Sequence, residues 1–248
     1  MGYAGIYGFL LGFMEPIFPY TFDPLFGPLL SVGSPATGAQ LTVVVVTVTM
    51  AVLYSLITYV LMDRERYQEV KEEISELQDK MKEAQEDEEI GASTDHMKES
   101  FKKQADMFKA RQKPMLVTFL LFFLVFPWMF ATFSPVVPLS VADGGEYSGT
   151  LELNGRTMPL AVQNETGTAQ VVVDGESYTR GETFQMGDLP WKVKRISTDG
   201  AAEVKVAAVI WYSPVGLPGT GKDVGWLATY ILLNIPITML LSKKLGIQ

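Results

Sequence analysis

Thr47, Ala51, Tyr54, Ser55 and Thr58 fall on one helical face of a stretch whose opposite face is Val, Leu and Met. Two further apolar stretches carry Thr118 and Thr132, and Thr229, Asn234 and Thr238. What such groups offer is hydrogen bonding in apolar surroundings. A Ser or Thr hydroxyl can bond the carbonyl four residues back on its own helix, and small or hydroxylated residues also pack helices together. The Asn234 amide is different: its own backbone cannot satisfy it fully, so it points to another helix or a wet cavity. Other chemistry is scarce. The chain has no cysteine and one histidine, His96, which excludes disulfides, thiolate chemistry and Cys-type zinc sites. A Ser-His-Asp triad or a His-rich metal site is not expected either. A net charge of −8 argues against direct DNA binding, which calls for a basic face. We expect no cofactor, no metal and no enzymatic activity.

The elements that hold these residues follow from the distribution of charge. Charged residues are 19% of the 248, and they are clumped. Only Glu15 and Asp23 precede Asp63, and none lies between Pro114 and Ala142 or between Val224 and Ser242. A soluble fold spreads charge over its surface, so a single soluble globule is excluded. A bilayer core of about 30 Å needs about 20 apolar residues as helix. Residues 41–62, 114–133 and 224–242 supply three such runs, with Tyr59, Trp128, Trp226 and Tyr230 near their ends, as aromatic belts require. Pro127 and Pro236 sit inside the second and third and are expected to kink them.

Orientation comes from Lys and Arg near the span ends. Residues 63–113 hold eleven of them, Lys243 and Lys244 follow the third span, and the first forty residues hold none. The expected arrangement is a multi-pass protein of the cell (plasma) membrane with its N-terminus outside and its C-terminal tail, 243–248, in the cytoplasm. Within the outer segment 1–40, Tyr3 to Met14 is too short to span, and Glu15, Pro16, Pro19, Pro24 and Pro28 break a longer helix. An interfacial or re-entrant helix is expected there.

In 63–113, Val70, Ile74, Leu77, Met81 and Ala84 alternate spacings of four and three, a heptad seam. Met97, Phe101, Gln104 and Phe108 repeat them, and the acidic run 86–96 with Gly91 reads as a turn. This predicts a cytoplasmic antiparallel coiled-coil hairpin whose legs continue spans one and two. In 134–223 the period changes to short β-branched runs split by Asn154-Gly155, Asp174-Gly175 and Asp199-Gly200, pairs suited to tight hairpins. Tyr147 to Tyr212 is expected to form a small extracytoplasmic antiparallel sandwich or barrel, with Thr168–Val173 and Glu203–Trp211 the best strands. Asn164-Glu165-Thr166 matches an N-glycosylation acceptor. The fold class is an α-helical membrane protein: three transmembrane helices, a coiled-coil hairpin and a β-rich domain.

Three spans are too few to enclose a wide channel, and they lack the mid-membrane charges of a transporter. They can form a cleft, open sideways to lipid and polar toward the cytoplasm. Strongly polar residues cost about 2.5–3.5 kcal/mol each at the membrane centre. A hydrated, thinned half-membrane lowers that barrier without fuel.

FDPLFGPLL before span one, the boundary YVLMDRERYQEVKEEISELQDKMKEAQ and the segment KPMLVTFLLFFLVFPWMF resemble the archaeal members of the Oxa/YidC superfamily of membrane insertases. The insertase subunit of the endoplasmic-reticulum membrane complex is a more distant relative. The resemblance implies a helical core with a cytoplasm-facing hydrophilic groove, and a coiled coil that meets the ribosome or the nascent chain. By position, Thr47, Ser55, Thr118 and Asn234 would line that groove, with Thr58 on the same face. The chain lacks the intramembrane arginine of typical bacterial members. Met81, Met97 and Met107 could give adaptable contacts to apolar client segments or the ribosome, although two of them lie on the seam, where core packing competes. The implied partners are nascent membrane proteins, the ribosome, the lipid bilayer and additional membrane subunits. The alternative is a membrane-anchored scaffold or sensor that links the outer β-domain to the coiled coil.

Overall fold

The computed structural model describes residues 12, 14–86, 90–141, 146–165, 168–198, 202–217 and 221–246. The chain forms two units: Met1–Thr49 with Phe123–Ile235, and Met50–Phe122 with Pro236–Gln248. Among the described residues three helices are long and apolar enough to cross a membrane: Pro35–Leu61, Gln112–Phe133 and Trp226–Lys244. Large apolar side chains stand exposed along all three, such as Val52, Leu56 and Val60, Leu116, Phe119 and Leu120, and Ile231, Ile235 and Leu240. In water such faces would drive aggregation; in a bilayer they are the lipid contact.

In the first unit a 3-10 turn, Glu15–Tyr20, leads into helix α1, Phe22–Leu30, and then α2, Pro35–Leu61. Most of the segment expected to lie in the interface, Tyr3 to Met14, falls outside the described residues. A continuous long helix is interrupted here, as expected, by the 3-10 turn, but Pro24 and Pro28 are accommodated inside α1. Pro24 lies in its first turn, where backbone amides need no helical partner, and Pro28 costs one bond near its end. At Gly38 a Cβ would collide with the Leu30 carbonyl, so only glycine lets the chain double back this tightly between α1 and α2.

The β-rich region is a sandwich of two antiparallel five-stranded sheets. One sheet runs β2 (Ser140–Val141), β3 (Tyr147–Leu153), β4 (Arg156–Glu165), β5 (Thr168–Val173) and β6 (Glu176–Tyr178). The other runs β1 (Val136–Pro138), β9 (Glu203–Leu217), β8 (Leu189–Ser197) and β7 (Thr183–Met186), with β10 (Gly221–Gly225) also on β9. The sheets face each other where β1 meets β3 and β5 meets β8. Alternation along the strands buries Leu151, Leu160 and Val171 from one and Phe184, Trp191, Val193 and Val206 from the other. Asn154-Gly155 and Asp174-Gly175 both take positive φ, as two-residue hairpin turns demand. Asp199-Gly200 and part of the acceptor triplet at Asn164 fall outside the described residues. The domain exceeds the expected 147–212 because β1 and β10 abut the ends of the second and third spans and carry too few residues for a periodic signal.

In the second unit α2 ends and α3, Arg64–Glu86, begins after a two-residue break. The other leg is continuous: α4, Ile90–Phe133, is one helix of 44 residues that includes the second span. Pro127 lies within it, and Pro236 lies within α5, Trp226–Lys244. The expectation that both legs continue their spans therefore holds for α4 alone.

Candidate functional site

In the first unit, α1 is pinned to the second span by a mixed contact. Trp128 Nε1 donates to Asp23 Oδ1 at 2.8 Å. The Phe22 and Phe26 rings lie 6.1 and 5.6 Å from the Trp128 indole. Hairpin tips of the sandwich hold the start of α2. Asn154 Nδ2 donates to Ser31 Oγ at 2.6 Å, and the Ala36 amide donates to Asp188 Oδ1 at 2.9 Å. Asp188 follows Gly187 (φ 67°) in the two-residue loop between β7 and β8. It supplies a negative charge at the positive end of a helix from 152 residues away. The Ser34 hydroxyl foremost, then the Ala36 amide, holds the Asp188 carboxyl below its usual range. Gln40 Nε2 adds a bond to the Ile210 carbonyl at 2.8 Å. The third span is tied in at its start: Trp226 Nε1 donates to Ser134 Oγ at 3.1 Å and Trp211 Nε1 to Thr229 Oγ1 at 2.9 Å.

Two of the expected groove residues lie in this unit. Thr47 is fully buried and its hydroxyl donates to the Val43 carbonyl at 2.6 Å, the self-satisfying bond that makes a membrane threonine neutral. Asn234 is half-buried, and its amide donates to the Tyr230 hydroxyl at 2.9 Å, one turn back on the same helix.

The second unit holds Ser55, Thr58 and Thr118. All three are buried. Ser55 bonds the Ala51 carbonyl at 2.8 Å, whereas the Thr58 and Thr118 hydroxyls have no partner. Among the described residues Trp191 Nε1, in the sandwich, is the remaining buried side-chain atom in that state. An orphaned hydroxyl costs about 1–3 kcal/mol, so these two are the polar groups with bonding capacity to offer.

The break after α2 is built by Asp63, whose carboxylate accepts from the Arg66 amide at 3.2 Å as a helix N-cap does. Arg64 turns back over the Tyr59 ring, 3.6 Å from its centroid, and donates to the Tyr59 carbonyl at 3.1 Å. Buried Met62 and Tyr67 pack with Met107 and Leu245. Beside them is a pocket of about 390 Å3 lined by Arg64, Gln68, Lys71, Glu72 and Ser75. Between α3 and α4, Lys103 Nζ lies 2.7 Å from Glu73 Oε2, and that hydrogen bond raises the lysine pKa.

The α3 seam is where the heptads put it, with Val70, Ile74, Leu77 and Ala84 buried and Met81 half-buried. The α4 seam is not. Met97, Phe101, Gln104 and Phe108 are exposed, while Ser100 is buried and Lys103 and Met107 are half-buried. The inward face is thus offset by one residue, about 100° of helix rotation. Of the three methionines expected to meet clients, Met107 packs inside the unit, Met81 is half-buried and Met97 is open. Sequence reading gave no role to Asp23 or Asp188, and it placed Met97, Phe101 and Phe108 on the inward seam, where the structure has them outward. The signal for Asp23 was there, a lone acid in an apolar segment.

The segment from α1 through both legs to the end of the second span resembles a known family. Residues 23–142 match the family of integral membrane proteins described as EMC3/TMCO1-like. That family belongs to the Oxa1/YidC/Alb3 insertase-related superfamily. The matched segment contains Asp23, Trp128, the Asp63 cap and the Thr58 and Thr118 hydroxyls; most of the sandwich and the third span lie outside it. Neither the curated proteins nor the solved structures gave a match.

Proposed function

We propose that this chain is a membrane-protein insertase or chaperone that helps nascent hydrophobic segments enter the bilayer through a hydrophilic groove facing the cytoplasm, without fuel. The match of residues 23–142 to the insertase-related EMC3/TMCO1-like family carries the reading. In it Thr47, Ser55, Thr58, Thr118 and Asn234 supply the polar side of the path, with unequal shares. Thr47 and Ser55 are buried and already satisfied by their own helix, so they add no bonding capacity. Thr58 and Thr118 keep free bonding capacity, covered in this structure, which water or a passing client's backbone can use once the helices part. The polar ends of a client then cross apolar depth with partial hydration, and its apolar helix leaves sideways against the exposed Val, Leu and Phe faces. The outward stripe of Met97, Phe101 and Phe108 supports a role for α4 in meeting apolar client segments or the ribosome. The quoted motifs favour the archaeal branch, a plasma-membrane location, and further membrane subunits as partners.

The test is reconstitution into liposomes with a short membrane substrate whose outer tail is scored by protease protection. Protection should rise with the protein present, and a photo-crosslinker at Ser55 or Asn234 should capture the substrate. Crosslinks confined to other surfaces would remove the groove from the mechanism.

The grip of the sandwich on Ser31 and Ala36 favours a second reading, a scaffold or sensor whose outer domain reports through the spans. It predicts normal insertion when either grip is broken.

A further inference from the structure

The sandwich holds a second pocket, also of about 390 Å3, where the second span ends. Phe130 and Ser134, at that end, form one wall, and Arg180, Lys194, Arg195 and Lys205 line the remainder with Ala207. Such a set contradicts strand geometry. Neighbours on a strand face opposite sides, yet Lys194 and Arg195 line the same pocket. The cause is a β-bulge: Val193 pairs with Val206 and Arg195 with Lys205, which leaves Lys194 as the extra residue. The bulge also sets Arg195 directly across from Lys205, a like-charge pair at about 5 Å that destabilises a sheet. Glu203 Oε1, 3.8 Å from Arg195, offsets one of these charges in part. Arg180 is brought in by its loop, which is stitched to β8 just before the bulge: the Gly181 amide donates to the Val193 carbonyl at 2.8 Å, and the Val193 amide to the Glu182 carbonyl at 2.9 Å. Burial, then the neighbouring Lys192, lowers the Lys194 pKa, with Asp223 acting the other way.

Four cations gathered by a bulge and a stitched loop are complementary to a compact anion, and guanidinium groups suit phosphate oxygens best. Depth identifies the source. Phe130 belongs to the last turn of the span Gln112–Phe133, and Trp226, which opens the third span, packs on it with ring centroids 4.6 Å apart. The polar zone of a bilayer extends only about 5–8 Å beyond its hydrocarbon core, and a pocket floored by that turn opens into it. We propose that this pocket binds the phosphate of an anionic phospholipid headgroup in the leaflet beside the β-domain.

The experiment is native mass spectrometry of the full-length protein released from mixed phosphatidylglycerol and phosphatidylcholine bilayers, with and without millimolar inorganic phosphate. Wild type should retain phosphatidylglycerol about tenfold over phosphatidylcholine, equivalent to about 1.4 kcal/mol. Lys194→Gln with Arg195→Gln should abolish the preference. Arg180→Gln, in a loop where sheet pairing is untouched, should weaken it severalfold, and Lys222→Gln, outside the pocket, should leave it intact. Retention insensitive to inorganic phosphate supports the headgroup. Loss of retained lipid to free phosphate, or equal retention by wild type and both pocket variants, overturns the proposal.

Discussion

Trp128 and Asp23 are 105 residues apart in sequence, and the indole of one donates to the carboxylate of the other at 2.8 Å. The bond joins two of the motifs that carry the family resemblance, FDPLFGPLL and FPWMF, and the Phe22 and Phe26 rings shield it. A double-mutant cycle of Asp23→Asn and Trp128→Phe should give a coupling of about 1–2 kcal/mol in detergent unfolding. Additive effects would show the two side chains to be neighbours without a shared bond.

Thr58 and Thr118 lend themselves to a test in which stability and activity part company. Valine at either position removes an unsatisfied hydroxyl at nearly constant volume. Stability should hold or rise by up to about 1 kcal/mol, and insertion in liposomes should fall severalfold. A drop in melting temperature in step with activity would mean that the hydroxyls are structural.

Asp188 sets a pH dependence whose sign is determined. Its carboxyl titrates lower in the folded protein, so its contribution is complete above the unfolded value of about 3.9 and is lost as pH falls through the folded one. Protection of the Ala36 amide against hydrogen exchange, taken relative to its intrinsic rate at each pH, should fall in wild type as the pH drops below about 4. In Asp188→Ala, which removes the acceptor, that protection should already be low at neutral pH, without that step.

The two faces of α4 should respond in opposite ways. Phe101→Ser and Phe108→Ser act on exposed rings and should change stability by less than about 0.5 kcal/mol while cutting crosslinks to client chains. Met107→Ala removes packing against Met62 and Tyr67 and should cost stability, measured as the urea midpoint.

Gly38→Ala places a methyl group against the Leu30 carbonyl. Neither backbone can yield cheaply, so the variant should lose expression and melt several degrees lower; an unchanged melting temperature would show that α1 and α2 can move apart.

What could be read from the sequence was what repeats locally. Three apolar runs gave three helices, and Asn154-Gly155 and Asp174-Gly175 gave turns at those positions, because chain length in lipid and positive φ are local demands. The rotation of α4 was not legible: Met97, Phe101 and Phe108 have the right spacing, but spacing does not say which face meets the partner helix. Nor was the sandwich's hold on Ser31 and Ala36, since nothing near Asn154 or Asp188 names a residue more than a hundred positions upstream. For the site, polarity marked Thr58 and Thr118, but it gave Thr47 and Ser55 the same weight. Only atomic positions separate a hydroxyl bonded to its own helix from one left without a partner.

The cap on α2 also has a bearing on biogenesis. Ala36 waits for Asp188, 152 residues downstream, to be made. At typical translation speeds of about 5–20 residues per second that delay is roughly 8–30 s. Over that interval the start of α2 lacks its cap, whereas β1 waits for only 69 further residues, from Val136 to its partner Lys205 on β9. A protein proposed to shepherd others across this stage passes through the same exposed adolescence itself.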